Sequence, residues 1–180
     1  RGFDKLVALA PHEIQFGILK RLRGAPVARH TQAHDLRFNP DPPYNILSTD
    51  VIDFATMQRL SRFARYWDMV ANAGRYPRTL PLLLGEAPFQ RFLAFSDWLY
   101  ARIGQTHAIA HERMVHALQQ FLTAEAGVAE DIANRALIDD YRGQGGRSRL
   151  AFEDPDAELP VPVPRKKRAT PPRQARHLAG

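Results

Sequence analysis

The sequence predicts a mainly α chain with one or two strands at its start and a disordered tail at its end. Three observations predict it. Between residues 51 and 142, apolar side chains recur at the three-and-four spacing of amphipathic helices. From Ile14 to Leu19 they alternate instead, as along a strand. After Arg142, glycines, prolines and charges replace both patterns, as in linkers and tails. The expected units are therefore residues 1–50, a helical body over 51–142, and a Pro-rich basic tail over 143–180.

Taken in order, Phe3 to Ala10 reads as the last turns of a helix stopped by Pro11, because proline disfavours helix in the residue before it. Ile14 to Leu19 follows, with Ile14, Phe16 and Ile18 on one face and Gln15, Gly17 and Leu19 on the other. So long an apolar run suits a strand covered on both faces, as in sheets flanked by helices. Gly17 would weaken that strand unless something needs the room beside its Cα. Lys20, Arg21 and Arg23 gather at its C-terminal end, before a Gly24-Ala25-Pro26 turn. In α/β sheets and barrels ligands sit at that end, although such cations also form plain solvated rims.

The segment from Val27 to Leu36 places His30 and His34 on one face if it is helical, but two imidazoles without a third ligand are a weak metal signal. Asn39 to Pro43 can only be loop, and Tyr44 to Leu47 suits a brief extended piece. Asp53 is placed to cap a helix, with Ile52 and Met57 as a hydrophobic staple. That helix carries Phe54, Met57, Leu60, Phe63, Ala64, Trp67, Val70 and Ala71 inward and stops at Gly74. Its aromatics and arginines could form a nucleic-acid surface, but such a stripe is usually core.

Pro81 and Pro88 punctuate a loop, and Pro88 opens a second helix with Phe89, Phe92, Leu93, Leu99, Tyr100 and Ile103 inward, ending at Gly104. A third runs from about Ala110 to Gly127 with Met114, Val115, Leu118, Phe121 and Leu122 inward. A fourth runs from about Glu130 to Tyr141 with Ile132, Ala136, Leu137 and Tyr141. His107, His111 and His116 lack the spacing of a helical zinc motif and read as surface or capping groups.

Composition bounds the chemistry. The 180 residues contain no cysteine, which excludes disulfides, thiolate nucleophiles, zinc fingers and cysteine-held clusters within this chain. No uninterrupted apolar run is long enough to span a membrane, so a soluble, cytoplasmic protein without a membrane partner is expected. Of the net charge of +6, residues 143–180 hold eight Lys or Arg against four Asp or Glu, so the basicity lies mostly in the tail. The cluster Arg165 to Arg168 could dock on nucleic acid or another acidic surface, or simply aid solubility. No triad, phosphate loop or diagnostic carboxylate pair marks a catalytic residue, and no metal ligands are assigned.

The order of three segments adds to this reading: HEIQFGILKRLRGAP, then FNPDPPYNILSTD, then FATMQRLSRFARYWDMVANAGRY. Together they resemble the C-terminal third of cobalamin-binding radical S-adenosylmethionine proteins. In that family the last barrel strand runs into an LKxLxGTP-like turn, a PPYxxL segment, and a helix ending in Asn-Ser-Gly-Arg-aromatic. The stretches DWLYARIGQTHAI and LIDDYRGQGGR resemble the helical domain of unknown function appended to one branch of these proteins. Ala25 and Ala73 depart from the pattern, each losing a hydroxyl.

The resemblance implies that the strand is the end of a truncated (β/α) radical SAM barrel, followed by an all-helical domain. It implies three cofactors for the full-length protein: S-adenosylmethionine, a 4Fe-4S cluster and cobalamin. The CxxxCxxC motif and the cobalamin domain are then expected before Arg1, so the partner of this chain is the N-terminal region of the same polypeptide. Carried over by position, Gln15, Gly17, Leu19 (through its backbone) and Lys20 are the residues implied to bind S-adenosylmethionine. The implied function is that of a C-terminal fragment of a cobalamin-dependent radical enzyme, with methyl transfer in many members, and inactive alone. The alternative is a helical interaction module whose basic tail binds nucleic acid or another acidic partner.

Overall fold

The computed structural model describes residues 2–153, so the expected Pro-rich stretch from Pro160 and the basic cluster after it lie outside the described residues. It is mainly helical: α1 (Gly2–Ala8), α2 (Phe54–Trp67), α3 (Thr79–Leu84), α4 (Pro88–Ile103), α5 (His111–Ala124) and α6 (Glu130–Gly143), with a two-stranded antiparallel sheet of β1 (Arg37–Phe38) and β2 (Ile46–Ser48). The helices start and stop where local chemistry says they must. Asp53 Oδ1 accepts from Thr56 N at 2.7 Å, and that bond holds its carboxyl below the usual carboxylate range. Gly74 and Gly104, at φ 62° and 67°, supply the left-handed residues that close α2 and α4.

Between α2 and Gly74 the chain makes one π-helical turn, Asp68–Asn72. Such a turn inserts one residue and rotates everything after it.

The core is a continuous run of rings. Phe3, Phe16 and Phe89 surround Phe63 and Trp67, whose planes lie 1° apart, and Phe92 crosses both edge-on. Phe95 and Phe121 carry the contact on to α5, with centroids 5.2 Å apart. Helix α2 packs on α4, α5 packs on α6, and the short α3 bridges the two pairs. The inward faces expected of the third and fourth helices hold for Met114, Val115, Leu118, Phe121, Leu122, Leu137 and Tyr141. Phe63, Tyr66 and Trp67 are buried, so the helix that carries them offers core rather than stacking surfaces for bases.

Several expectations are corrected. Residues 79–84 are helix, not loop, because Pro81 falls in the first turn of α3 where a missing N–H leaves nothing unpaired. Phe54, Tyr100 and Ile132 are exposed. Phe54 is the first residue of its helix, and Tyr100 lies under the Arg62 guanidinium, 4.5 Å from the ring centroid. The segment Val27–Leu36 opens with a 3-10 turn, Pro26–His30, and goes on as turns.

Residues 144–153, expected as linker, fold back over α5 and α6. Leu150 is buried, Gly146 lies so close beneath Tyr141 that a Cβ there would run into its ring, and Phe152 meets His116 edge-on.

Ile14 to Leu19, expected as a strand, forms none, because no neighbouring strand pairs with it, but its burial alternates as expected: Ile14 is buried and Phe16 and Ile18 half-buried, while Gln15, Gly17 and Leu19 are exposed. It is not covered on both faces. It lies on the flank of the helical body and joins the sheet only at its end, where Lys20 bridges Asn45 and Ile46 N donates to Leu19 O at 2.8 Å.

Asp140 fixes the far end of the body. Its buried carboxylate accepts from Arg78 N, Thr79 N and Thr79 Oγ1, capping α3 from α6. Asp140→Ala leaves these donors unpaired and is expected to lower stability by about 2–3 kcal/mol, against about half that for Asp140→Asn, which keeps one acceptor. Urea unfolding of the two variants checks this.

Candidate functional site

The ribbon Ile14–Leu19 is held by one side chain. The π turn aims Asn72 back along α2, where its amide reads the backbone of Ile14 as a neighbouring strand would. Oδ1 accepts from Ile14 N at 3.2 Å, and Nδ2 donates to Ile14 O at 3.0 Å. The remaining capacity is also filled: Oδ1 accepts from Trp67 Nε1 at 3.0 Å, and Nδ2 donates to Asp68 Oδ1 at 2.8 Å. Beyond Ile14 the backbone of Phe16, Gly17 and Ile18 makes no hydrogen bond among the described residues. The ribbon thus offers a free polar edge beside an apolar wall.

That wall encloses a groove of about 300 Å³, lined by Phe16 to Leu19 of the ribbon, Ile46 of β2, and side chains of α2 and α4. Ile52 and Met57, expected as the staple of α2, are part of its lining. No titratable side chain lines it.

The four residues implied to bind S-adenosylmethionine are divided by this geometry. Gly17 and Leu19 line the groove. Gln15 is exposed on the same face of the ribbon, its Nε2 donating to Glu13 Oε1 at 2.9 Å. Lys20 is exposed at the end of the ribbon and does not line the groove. A Cβ built on Gly17 meets nothing within 4 Å, so the glycine faces open space rather than a crowding neighbour.

Asn72 and Leu60 were not legible as site residues, since the first is one letter of a turn and the second one member of a helix stripe. The Asn-Ala-Gly-Arg-Tyr string was the one available signal for Asn72.

The histidines do not build a metal site: among the described residues no group of three or more His, Asp or Glu is placed to hold an ion. His30 and His34 have ring centroids 6.2 Å apart, and His34 Nδ1 lies 3.6 Å from Asp50. His111, expected at the surface, packs between the buried rings of Tyr76 and Tyr141 at 5.7 and 5.2 Å. Burial, then the nearby Arg75, lowers its pKa, and burial raises that of Tyr76. Glu112 beside it accepts from Tyr141 OH at 3.1 Å and from Ser148 Oγ, which lowers its own pKa and ties the 144–153 strap to α5.

Two outcomes are expected. Asn72→Ala, which removes four hydrogen bonds and orphans part of Ile14, should cost about 2–4 kcal/mol by chemical unfolding. His111 binds its proton less well folded than unfolded, so its stabilising share is present above its unfolded pKa, near 6.5, and is lost as pH falls below it. Melting temperatures of the native protein should therefore drop across that window more than those of His111→Gln.

No helix among the described residues is long and apolar enough to cross a membrane. One family, described as Protein of unknown function (DUF4080), matches residues 32–151. Neither a curated protein nor a solved structure matches the chain.

Proposed function

The chain belongs to the DUF4080 family, and on that premise we propose that it is the C-terminal part of a cobalamin-dependent radical S-adenosylmethionine enzyme, without activity by itself. The observation that carries this reading is the ribbon. Its inner face is anchored on the helical body, its outer face carries Gln15, Gly17 and Leu19, and its backbone from Phe16 to Ile18 is unpaired among the described residues. An alternating ribbon with an open edge is what one strand of a larger sheet leaves when its neighbours are absent. The resemblance of HEIQFGILKRLRGAP to a barrel-closing strand points the same way.

The residues present fit the cofactors unequally. With no cysteine in the chain, thiolate ligands for a 4Fe-4S cluster are not among these residues. The adenosyl part of S-adenosylmethionine suits the open face: Gly17 lets a flat ring approach the backbone, Leu19 offers apolar contact, and unpaired N–H and C=O groups stand beside them. Gly17 and Leu19 carry no group that pairs a carboxylate or ammonium, so the methionyl end needs partners beyond them. When bound with cluster and cobalamin, S-adenosylmethionine supplies radical initiation and the cobalamin a methyl carrier in the family that the sequence resembles. The work of this chain is to hold the ribbon rigid through Asn72 and to present that face.

Gly17→Val in the full-length polypeptide tests this. A Cβ at this position meets nothing within 4 Å, so melting should stay within about 2 °C, a shift equivalent to no more than about 1 kcal/mol. Affinity for S-adenosylmethionine should fall about tenfold or more, with cleavage to 5′-deoxyadenosine falling in parallel. A folded variant that binds and cleaves S-adenosylmethionine as the native protein does contradicts the assignment, and so does a full-length protein that binds none.

A further inference from the structure

The groove and the turn at its end differ in character and adjoin. Its walls are apolar throughout, with Ile46, Ile52, Met57 and Leu60 facing the ribbon. Leu19, a wall residue, is followed at once by Lys20, Arg21, Leu22 and Arg23. The stretch from Lys20 to His34 holds four Lys or Arg and no Asp or Glu. Lys20, Arg21 and Arg23 are exposed and make no ion pair among the described residues.

The turn is fixed to the groove through the segment that enters β2. Lys20 bridges Asn45, whose neighbour Ile46 is itself wall, and Arg21 N donates to Tyr44 O at 3.0 Å. Asp50 lies 3.6 Å from His34, and Asp53 caps α2. The Lys20–His34 stretch therefore carries an excess of positive charge beside the Leu19 end of the groove.

We propose that the groove binds an amphiphilic anion, its apolar body between the ribbon and α2 and its carboxylate or phosphate on the Lys20–Arg23 turn. A cavity of about 150 Å³ lined by apolar side chains takes up benzene, so a groove of twice that volume suits an acyl- or isoprenyl-type body of about ten carbons. Charge decides the head group. The turn offers guanidinium forks for an oxyanion and nothing for a cation. A peptide strand laid along the free edge of the ribbon would need main-chain pairs instead and would be indifferent to the charge at its end. This inference stands on the groove and its rim alone and does not depend on the radical reading.

The test is calorimetric titration of the intact protein with decyl phosphate, decanoate, decanol and inorganic phosphate, each below its micellar concentration. Both anionic amphiphiles should bind, decanol about tenfold more weakly, and inorganic phosphate without saturation. Comparing the two anions tells a phosphate from a carboxylate preference. At about 0.5 M salt the anion preference should shrink severalfold.

Reversing the rim with Lys20→Glu, Arg21→Glu and Arg23→Glu together should erase the preference while leaving decanol binding unchanged. Filling the groove with Leu60→Trp, or with Ile52→Trp if the first does not fold, should abolish binding of all three amphiphiles. The proposal is overturned if the native protein binds none of them or binds decanol as well as decyl phosphate. It is also overturned if the anion preference survives the triple reversal, or if amphiphile binding survives a folded groove-filling variant.

Discussion

One primary amide decides how this chain is put together. A side-chain amide has two acceptor lone pairs and two donor hydrogens, and Asn72 uses all four within the fold. Two go to the backbone of a residue 58 positions away, so the amide acts as a single-residue strand. The other two tie it to Trp67 and Asp68, which removes its freedom to turn aside. A side chain satisfied so completely is expensive to displace, since Ile14 and Trp67 would be left unpaired in part-buried surroundings. The π turn bears on this, because an uninterrupted α-helix would set Asn72 at a position about 100° different around the axis.

From that contact the rest of the site follows. Once Ile14 is fixed, alternation sends Phe16 into the ring cluster with Phe63 and Trp67, and turns Gln15, Gly17 and Leu19 outward. A groove remains between the ribbon and α2, and the bridge to Asn45 ties the end of the ribbon to the sheet. The opposite end of the body is locked separately by Asp140 on α3 and by the strap through Gly146 and Leu150. Aromatic contacts running from Phe3 to Phe121 join the two ends.

Much of the helical body was legible because its signals are local. A capping aspartate, a staple and left-handed glycines announce boundaries within a few residues, and Asp53, Gly74 and Gly104 do what their positions imply. Features set by distant partners were not legible. A proline in a six-residue helix reads as loop unless the capping carboxylate of Asp140, 61 residues beyond Thr79, is known. His111 reads as surface until Tyr76 and Tyr141 close over it, and the glycines after Arg142 read as linker until Gly146 is seen to make room for a ring. For the site, the alternation was right and the two-sided burial was not. Apolar content says that a ribbon has something to cover but not whether the cover lies within the same chain. Gly17 and Leu19 line the groove, whereas Lys20 belongs to its rim and Gln15 to the open face.

Amide hydrogen exchange along Gln15 to Ile18 and at Ile14 tests the central claim most directly. If the Asn72 amide pins the ribbon, the Ile14 N–H exchanges only with opening of α2, close to the global unfolding limit, while the unpaired Gly17 and Ile18 amides exchange orders of magnitude faster. An Ile14 amide that exchanges as fast as theirs means that the clamp does not hold in solution, and the groove and open face built on it fall with it.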